Sequence, residues 1–406
     1  MTRRTKPRCS NAALPAATLR TPCAAPRPPG GILDPIEPNR RPIGVALSGG
    51  GVRATLTGLG TVQLLADVGL LGDVRHLTSV SGGSILGALI ASQWDAMRAD
   101  NFSRASLDRH VSEPLVAVLT TQSIQRQLYN QAWKTLSPKH SRTDLLAQRL
   151  ADTLLGEQKL DELPTGTWFE INTTNLTTAA RFRFTRDIVG DYITGSGSTN
   201  SRNLRLADVV AWSCAVPGAF NSTVLDHLEL PCQREVGAPE LIDGGAYDNL
   251  GAEAFKSRDE LRNLFCIIAN AGGSFEPSPR VARVPIVGEL WRANTVLYQQ
   301  VANLRSRGLF TTFNSQDPDA LQGCIFNLRS LQPKAGSGRF EEFSALNRIQ
   351  SDVEIAGLAI YPTDLHKVET SDAQRLMYRG WWLSGALLSA YAPDLVDECP
   401  KYVGIG

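Results

Sequence analysis

The chain has little that would mark it for a membrane span, a metal centre or a charged polymer. Of its 406 residues only five are His and three are Met. Seven Cys, at 9, 23, 214, 232, 266, 324 and 399, are odd in number and scattered, with no CxxC pair and no His at zinc-finger spacing. Neither a structural zinc site nor a disulfide framework is expected from that pattern. Cys266 and Cys324 fall in short apolar runs and read as buried strand thiols, which suits a reducing compartment. The longest uncharged run, Leu77 to Trp94, is interrupted by Ser and Gly and does not read as a transmembrane helix. Lys and Arg number 41 against 40 Asp and Glu, so no chain-wide positive field exists to hold nucleic acid or an anionic membrane, and any membrane contact must be local.

What is present is enough apolar character, 42% of residues, to bury a substantial core. Charge is uneven: residues 1–41 carry eight Lys or Arg against two acids. That stretch is rich in Pro and Ala and reads as a mobile basic tail ahead of a single α/β domain over 42–406. Its prolines spoil the amphipathic helix of a transit peptide, and no apolar run of a secretory signal follows, so a cytoplasmic location is expected.

From Ile43 the grammar is strand, glycine turn, helix. Ile43–Leu47 is a short apolar run, Ser48-Gly49-Gly50-Gly51-Val52-Arg53 a turn, and Thr55–Leu71 has helical spacing. The same order repeats in His76–Val80, Ser81-Gly82-Gly83 and a helix over Ser84–Trp94. Two such units in tandem predict a mainly parallel sheet with helices on both faces. Residues 97–160 read as a helical insertion, a candidate cap. Further strands are expected at Trp168–Asn172, Arg181–Thr185, Leu241–Ile242 and Leu264–Ala269, with helices over Leu206–Ala215, Val284–Arg305 and Ser371–Ala392. Trp291, Trp381 and Trp382 fall in those helices and read as core, with an interfacial role as the alternative.

Three motifs carry chemistry. Backbone amides of a glycine turn at a helix start stabilise an anion, whether a bound phosphate or an oxyanion formed in a transition state. No Gly-Lys-Ser/Thr follows and no GxGxxG is present, so a P-loop and a dinucleotide fold are excluded. Ser81, followed by Gly82 and Gly83 at the next strand-to-helix junction, has the position of a nucleophile elbow; Ser79 stands where a Gly is usual, and Ser79 and Ser84 are rival hydroxyls without Gly at both following positions. Asp243, ending the apolar Leu241-Ile242 and followed by Gly244-Gly245, is the most distinctive candidate base, with Asp248 and Asn249 shaping its loop.

In order and context these motifs resemble the patatin-like phospholipase family, which shares a catalytic core with the cytosolic phospholipase A2 group. The resemblance covers roughly Pro42 to Asn249, with weaker similarity at Ala211–Phe220 and over Pro362–Gly380. It implies a three-layer α/β/α fold, Ser81 as nucleophile and Asp243 as base of a dyad without histidine, and an oxyanion hole from Gly50 and Gly51 helped by Gly49 and Arg53. The implied reaction is hydrolysis of fatty-acyl esters of phospholipids or lysophospholipids through an acyl-serine intermediate, at a peripheral membrane surface, with no cofactor and no metal. Two alternatives stay open. His366 follows Asp243 in the chain order of a Ser81/Asp243/His366 triad, and the glycine loop of a non-catalytic lipid-binding module would cradle a phosphate.

Overall fold

The computed structural model describes residues 40–130, 141–199, 202–256, 264–272, 287–317 and 319–404. The basic N-terminal stretch up to residue 39 lies outside them. Arg40 and Arg41, which the sequence pattern assigns to the tail, belong to the domain: Arg40 pairs with Asp73 at 2.6 Å, and Arg41 donates to Gln322 Oε1 at 2.8 Å and lies over the Phe265 ring.

The first strand, β1 (Ile43–Leu47), is buried throughout because helices cover both faces of the sheet. It leads into α1 (Gly51–Asp67), then β2 (Val74–Val80) and α2 (Gly82–Ser92). Both helices begin earlier than hydrophobic spacing predicts, because the glycines themselves form the first turns. A series of short helices from Trp94 to Leu155 is followed by β3 (Trp168–Asn175), β4 (Ala180–Phe184), β5 (Ile188–Asp191) and β6 (Gly195–Ser198). Then come α3 (Leu206–Ser213), β7 (Thr223–Val224), β8 (Glu240–Asp243), β9 (Phe265–Asn270), α4 (Val287–Phe313), β10 (Gln322–Asn327) and α5 (Thr370–Tyr391).

Among the described residues the strands form one ten-stranded sheet, ordered β10-β9-β1-β2-β3-β4-β5-β6, with β8 on β3 and β7 on β8. From β10 to β3 all pairs are parallel, as the tandem units predict; from β3 to β6 they are antiparallel. Chain order runs away from β1 in both directions, toward β2 on one side and β9 on the other. The carboxyl ends of these strands therefore open a crevice of the kind in which α/β folds bind ligands.

The insertion is not a detached cap. Its Met97, Leu107, Leu115, Leu119, Leu146 and Leu150 are buried in the same core as α1 and α2. Trp381 and Trp382 are likewise buried, and Trp381 Nε1 donates to Asp67 Oδ2 at 2.7 Å, which settles their core role. Cys266 and Cys324 are free and buried in β9 and β10, where burial pushes the Cys324 thiol up to about 12. Cys214 and Cys399 are free as well.

Helices α1 and α5 cross with their backbones in contact. A Cβ on Gly60 would overlap the Met377 carbonyl, and one on Gly380 would overlap the Thr57 carbonyl. Helix propensity alone favours Ala over Gly by about 1 kcal/mol, but overpacking against backbone costs about 1–3 kcal/mol or more. Gly380→Ala is therefore expected to lower stability by about 2 kcal/mol in urea unfolding; an unchanged or raised midpoint would show that the helices separate at no cost.

Candidate active site

Strand pairing on β3 brings the two chemical motifs together. Strand β2 runs parallel to β3 and its register ends at Val80 opposite Asn172. Strand β8 runs antiparallel to β3 on the same edge and ends at Asp243 opposite Thr173. Two strands thus approach head-on along one neighbour, and the residues at their meeting ends, Ser81 and Asp243, become adjacent although 162 positions separate them in the chain.

Ser81 caps α2 in a conformation L-residues rarely adopt, φ 51° and ψ −123°. Close packing on every side holds it there. A Cβ on Gly82 would strike the Gly51 backbone, one on Gly83 the Leu47 carbonyl, and one on Gly244 the Asn172 carbonyl. The Thr55 hydroxyl ties the two glycine loops, within hydrogen-bond distance of Gly82 O at 2.8 Å and Gly51 O at 3.0 Å. The amide of Ser81 donates to Ser213 Oγ at 2.9 Å, and that hydroxyl donates to Asn172 O at 2.7 Å. Ser213, which the motifs do not mark, thus holds the Ser81 backbone, and it lies in the Ala211–Phe220 segment singled out above.

The rival hydroxyls are occupied. Ser84 Oγ is 2.9 Å from Ser213 Oγ, and Ser79 Oγ donates to Glu170 O at 3.3 Å. Ser79 is accommodated in place of the usual Gly because Gly87 faces it, leaving room for its Cβ.

Asp243 is buried, 4% exposed. Its Oδ1 accepts from the Gly245 amide at 2.7 Å, while Oδ2 is buried without a hydrogen-bond partner among the described residues. Burial pushes the carboxyl up to about 6, and the neighbouring Ser81 hydroxyl and Gly245 amide pull it partly back. Burial first, and the Asp243 charge second, also push up the phenol of Tyr298 on α4; nothing in the sequence pattern places Tyr298 near this acid.

Two members of the expected oxyanion hole are engaged elsewhere. The Gly49 amide donates to Asn249 O at 2.9 Å. Arg53 is buried and bridges distant segments, donating through Nε to Ala271 O at 2.9 Å and through Nη1 to Ala359 O at 2.9 Å and Tyr361 O at 2.8 Å. It is a brace behind the loop. The amides of Gly50, Gly51 and Gly82, by contrast, make no hydrogen bond among the described residues. Gly51 and Gly82 line a cavity of about 230 Å³ together with Ser81. Its remaining wall is mostly apolar, from Cys214, Val216, Ala219, Phe220 and Leu365, with Gln125, Arg142, Thr363 and Asp364 as polar members.

His366 does not complete a triad with Asp243. Its Nδ1 meets Asp364 Oδ1 and its Nε2 lies 3.2 Å from the Tyr361 hydroxyl. Among the described residues no group of three or more His, Cys, Asp or Glu is placed to hold a metal ion, and no helix is long and apolar enough to cross a membrane.

A mixed sheet flanked by helices, with a buried acid beside a serine at the strand ends, describes a hydrolase-like α/β protein. The sequence over residues 45–256 matches the model of the patatin-like phospholipases, and the chain belongs to that family. Its structure is similar to that of human GIVD cytosolic phospholipase A2, with a TM-score of 0.50 and 14% identity over 89% of this chain and 64% of that one. The same human protein in complex with methyl gamma-linolenyl fluorophosphonate is similar at a TM-score of 0.50 and 16% identity, over 89% of this chain and 60% of that one. The chain thus spans less than two thirds of either, and at such identity the likeness is one of fold. No curated protein gives a significant match.

Proposed function

We propose that the protein is a lipid acyl hydrolase that cleaves fatty-acyl esters of glycerophospholipids or their lyso forms at a peripheral membrane surface. The observation that carries this reading is the head-on meeting of β2 and β8 on β3, which sets Ser81 beside the buried carboxyl of Asp243.

In the acylation step Ser81 Oγ attacks the ester carbonyl and its proton passes to Asp243. The oxyanion that forms is held by the amides of Gly51 and Gly82, with that of Gly50, none of which bonds another group among the described residues. Collapse of the tetrahedral species expels the alcohol, which takes the proton from Asp243 and leaves acyl-Ser81. Water then attacks this ester with Asp243 again as base, releasing the fatty acid. A carboxyl raised to about 6 suits both duties near neutral pH, since it is ionised before attack yet basic enough to accept a proton.

The test is release of labelled fatty acid from phosphatidylcholine and lysophosphatidylcholine vesicles or micelles. Release from at least one is expected, and no release from either would count against the reading. His366→Ala separates the dyad from a triad. Because both ring nitrogens of His366 face Asp364 and Tyr361, kcat is expected to stay within about threefold of wild type, against the roughly 10⁴-fold loss typical when a triad member is removed.

A further inference from the structure

We infer that Arg142 is the subsite for the lipid phosphate, so that the protein selects charged phospholipids over neutral acyl esters. This rests on the reading of Ser81 as the acyl acceptor and adds to it what the rest of the substrate must carry.

Among the described residues that line the Ser81 cavity, Arg142 is the one cation. It begins the helix Arg142–Leu150, whose start is fixed by a reciprocal capping box between Ser141 and Asp144. The helix start is also fastened to the cavity wall. The Arg142 amide donates to Asn221 Oδ1 at 3.2 Å, and the Thr143 hydroxyl donates to Asn221 O at 2.7 Å. One guanidinium nitrogen, Nη1, donates to Ala219 O at 3.2 Å, within the same loop that lines the cavity. That single bond orients the group and leaves Nε and Nη2 with no partner among the described residues.

Other arginines of the domain are spent differently. Arg53 and Arg379 are buried against backbone carbonyls, while Arg104, Arg205, Arg339 and Arg348 pair with acids. Arg142 has no acid within ion-pair distance among the described residues. The acid that shares its cavity, Asp364, is joined to His366. An exposed guanidinium held by one hydrogen bond, with two donors free among the described residues, at an apolar cavity that also holds the serine, matches a ligand with one acyl chain and one phosphate. The planar fork donates to two phosphate oxygens at once. A neutral glyceride offers it no such partner.

The test is binding of lipids without an ester bond, which reads the subsite whether or not hydrolysis occurs. Affinities of the full chain for a single-chain alkylphosphocholine and for an alkylglycerol ether of equal length, both below their micelle concentrations, are measured by calorimetry for wild type, Arg142→Gln and Arg142→Lys. Arg142→Gln is expected to weaken the phosphocholine about tenfold, as loss of charge-assisted hydrogen bonds to a solvent-exposed anion implies, and to leave the glycerol ether within twofold. Arg142→Lys should restore part of the loss, since it keeps the charge without the fork.

Equal affinity of wild type and Arg142→Gln for the phosphocholine, no binding of it by wild type, or equal weakening of both ligands would overturn the assignment. Hydrolysis assayed on the same proteins keeps the two readings apart. Arg142-dependent phosphocholine binding without ester hydrolysis would sink the proposed reaction and leave the subsite, and hydrolysis with Arg142-independent binding would do the reverse.

Discussion

Fatty-acid release by Ser81→Ala is expected to fall by at least about a thousandfold, the loss typical when a covalent nucleophile is removed, with the unfolding midpoint nearly unchanged. The stability half of this expectation follows from the backbone. At φ 51° and ψ −123° the cost arises from a Cβ and a chain in an unfavoured region, and Ala bears it as Ser does. The Ser81 amide that holds Ser213 is kept, and what the substitution removes is the hydroxyl's pull on the Asp243 carboxyl. A fluorophosphonate probe should accordingly label wild type and fail to label Ser81→Ala. Labelling that persists in the variant would transfer the nucleophile role to another hydroxyl, although Ser79 and Ser84 are fully buried and bonded elsewhere.

Asp243→Asn is expected to be inactive and, at neutral pH, more stable than wild type. Activity is lost with the proton acceptor; Asn keeps the shape and the acceptor for the Gly245 amide but takes no proton. The gain in stability comes from linkage. Burial raises the Asp243 carboxyl from 3.8 to about 6 in the folded state, so between those values the unfolded chain loses its proton while the folded chain retains it. Folding stability therefore falls as pH rises through that window. Above about 6 wild type bears a penalty of at most ~3 kcal/mol, at about 1.36 kcal/mol for each pH unit that separates the folded and unfolded values. Asn carries no such penalty. Chemical denaturation at pH 8 should show the variant gaining up to that amount, with the gain vanishing below about pH 4, where both side chains are neutral. In wild type, kcat/KM should drop as pH falls through about 6, because protonated Asp243 is no base. A flat profile from about pH 5 to 8, or a variant destabilised at pH 8, would mean that Asp243 does not carry the buried charge assigned to it.

Much of this architecture was legible in the sequence because its signals are local. The runs Ile43–Leu47 and His76–Val80, each followed by glycines and helical spacing, predict parallel βα units, and β1 and β2 pair as such. Local signals fail where a strand has no side chains to announce it. Gly195–Ser198 is Gly-Ser-Gly-Ser, yet it pairs with Ile188–Asp191 as the sheet edge, since backbone hydrogen bonds need no apolar residue. They fail again where the decisive partner is distant. Nothing near Gly49 reveals that its amide is taken by Asn249 two hundred residues on, nor does the Arg at position 53 announce that its acceptors lie at Ala271, Ala359 and Tyr361. Likewise Ser81 and Asp243 were recognisable as individual candidates, but their adjacency depends on which edge of β3 each strand selects, a long-range choice that no window of sequence contains.

The brace at Arg53 also fixes when the site comes into being. Residues 45–256 contain Ser81, Asp243 and every glycine of the loops, yet the carbonyls that hold Arg53, and the Asp364 carbonyl that receives the Val52 amide at 3.1 Å, lie beyond them. During synthesis the nascent chain exposes its serine and its acid long before the segment that backs the glycine loop has left the ribosome. Loop closure over some three hundred residues is among the slower events of folding. Competence is thus a late property of the chain, and a product ended near residue 256 would carry the reactive groups without the backing that orients them.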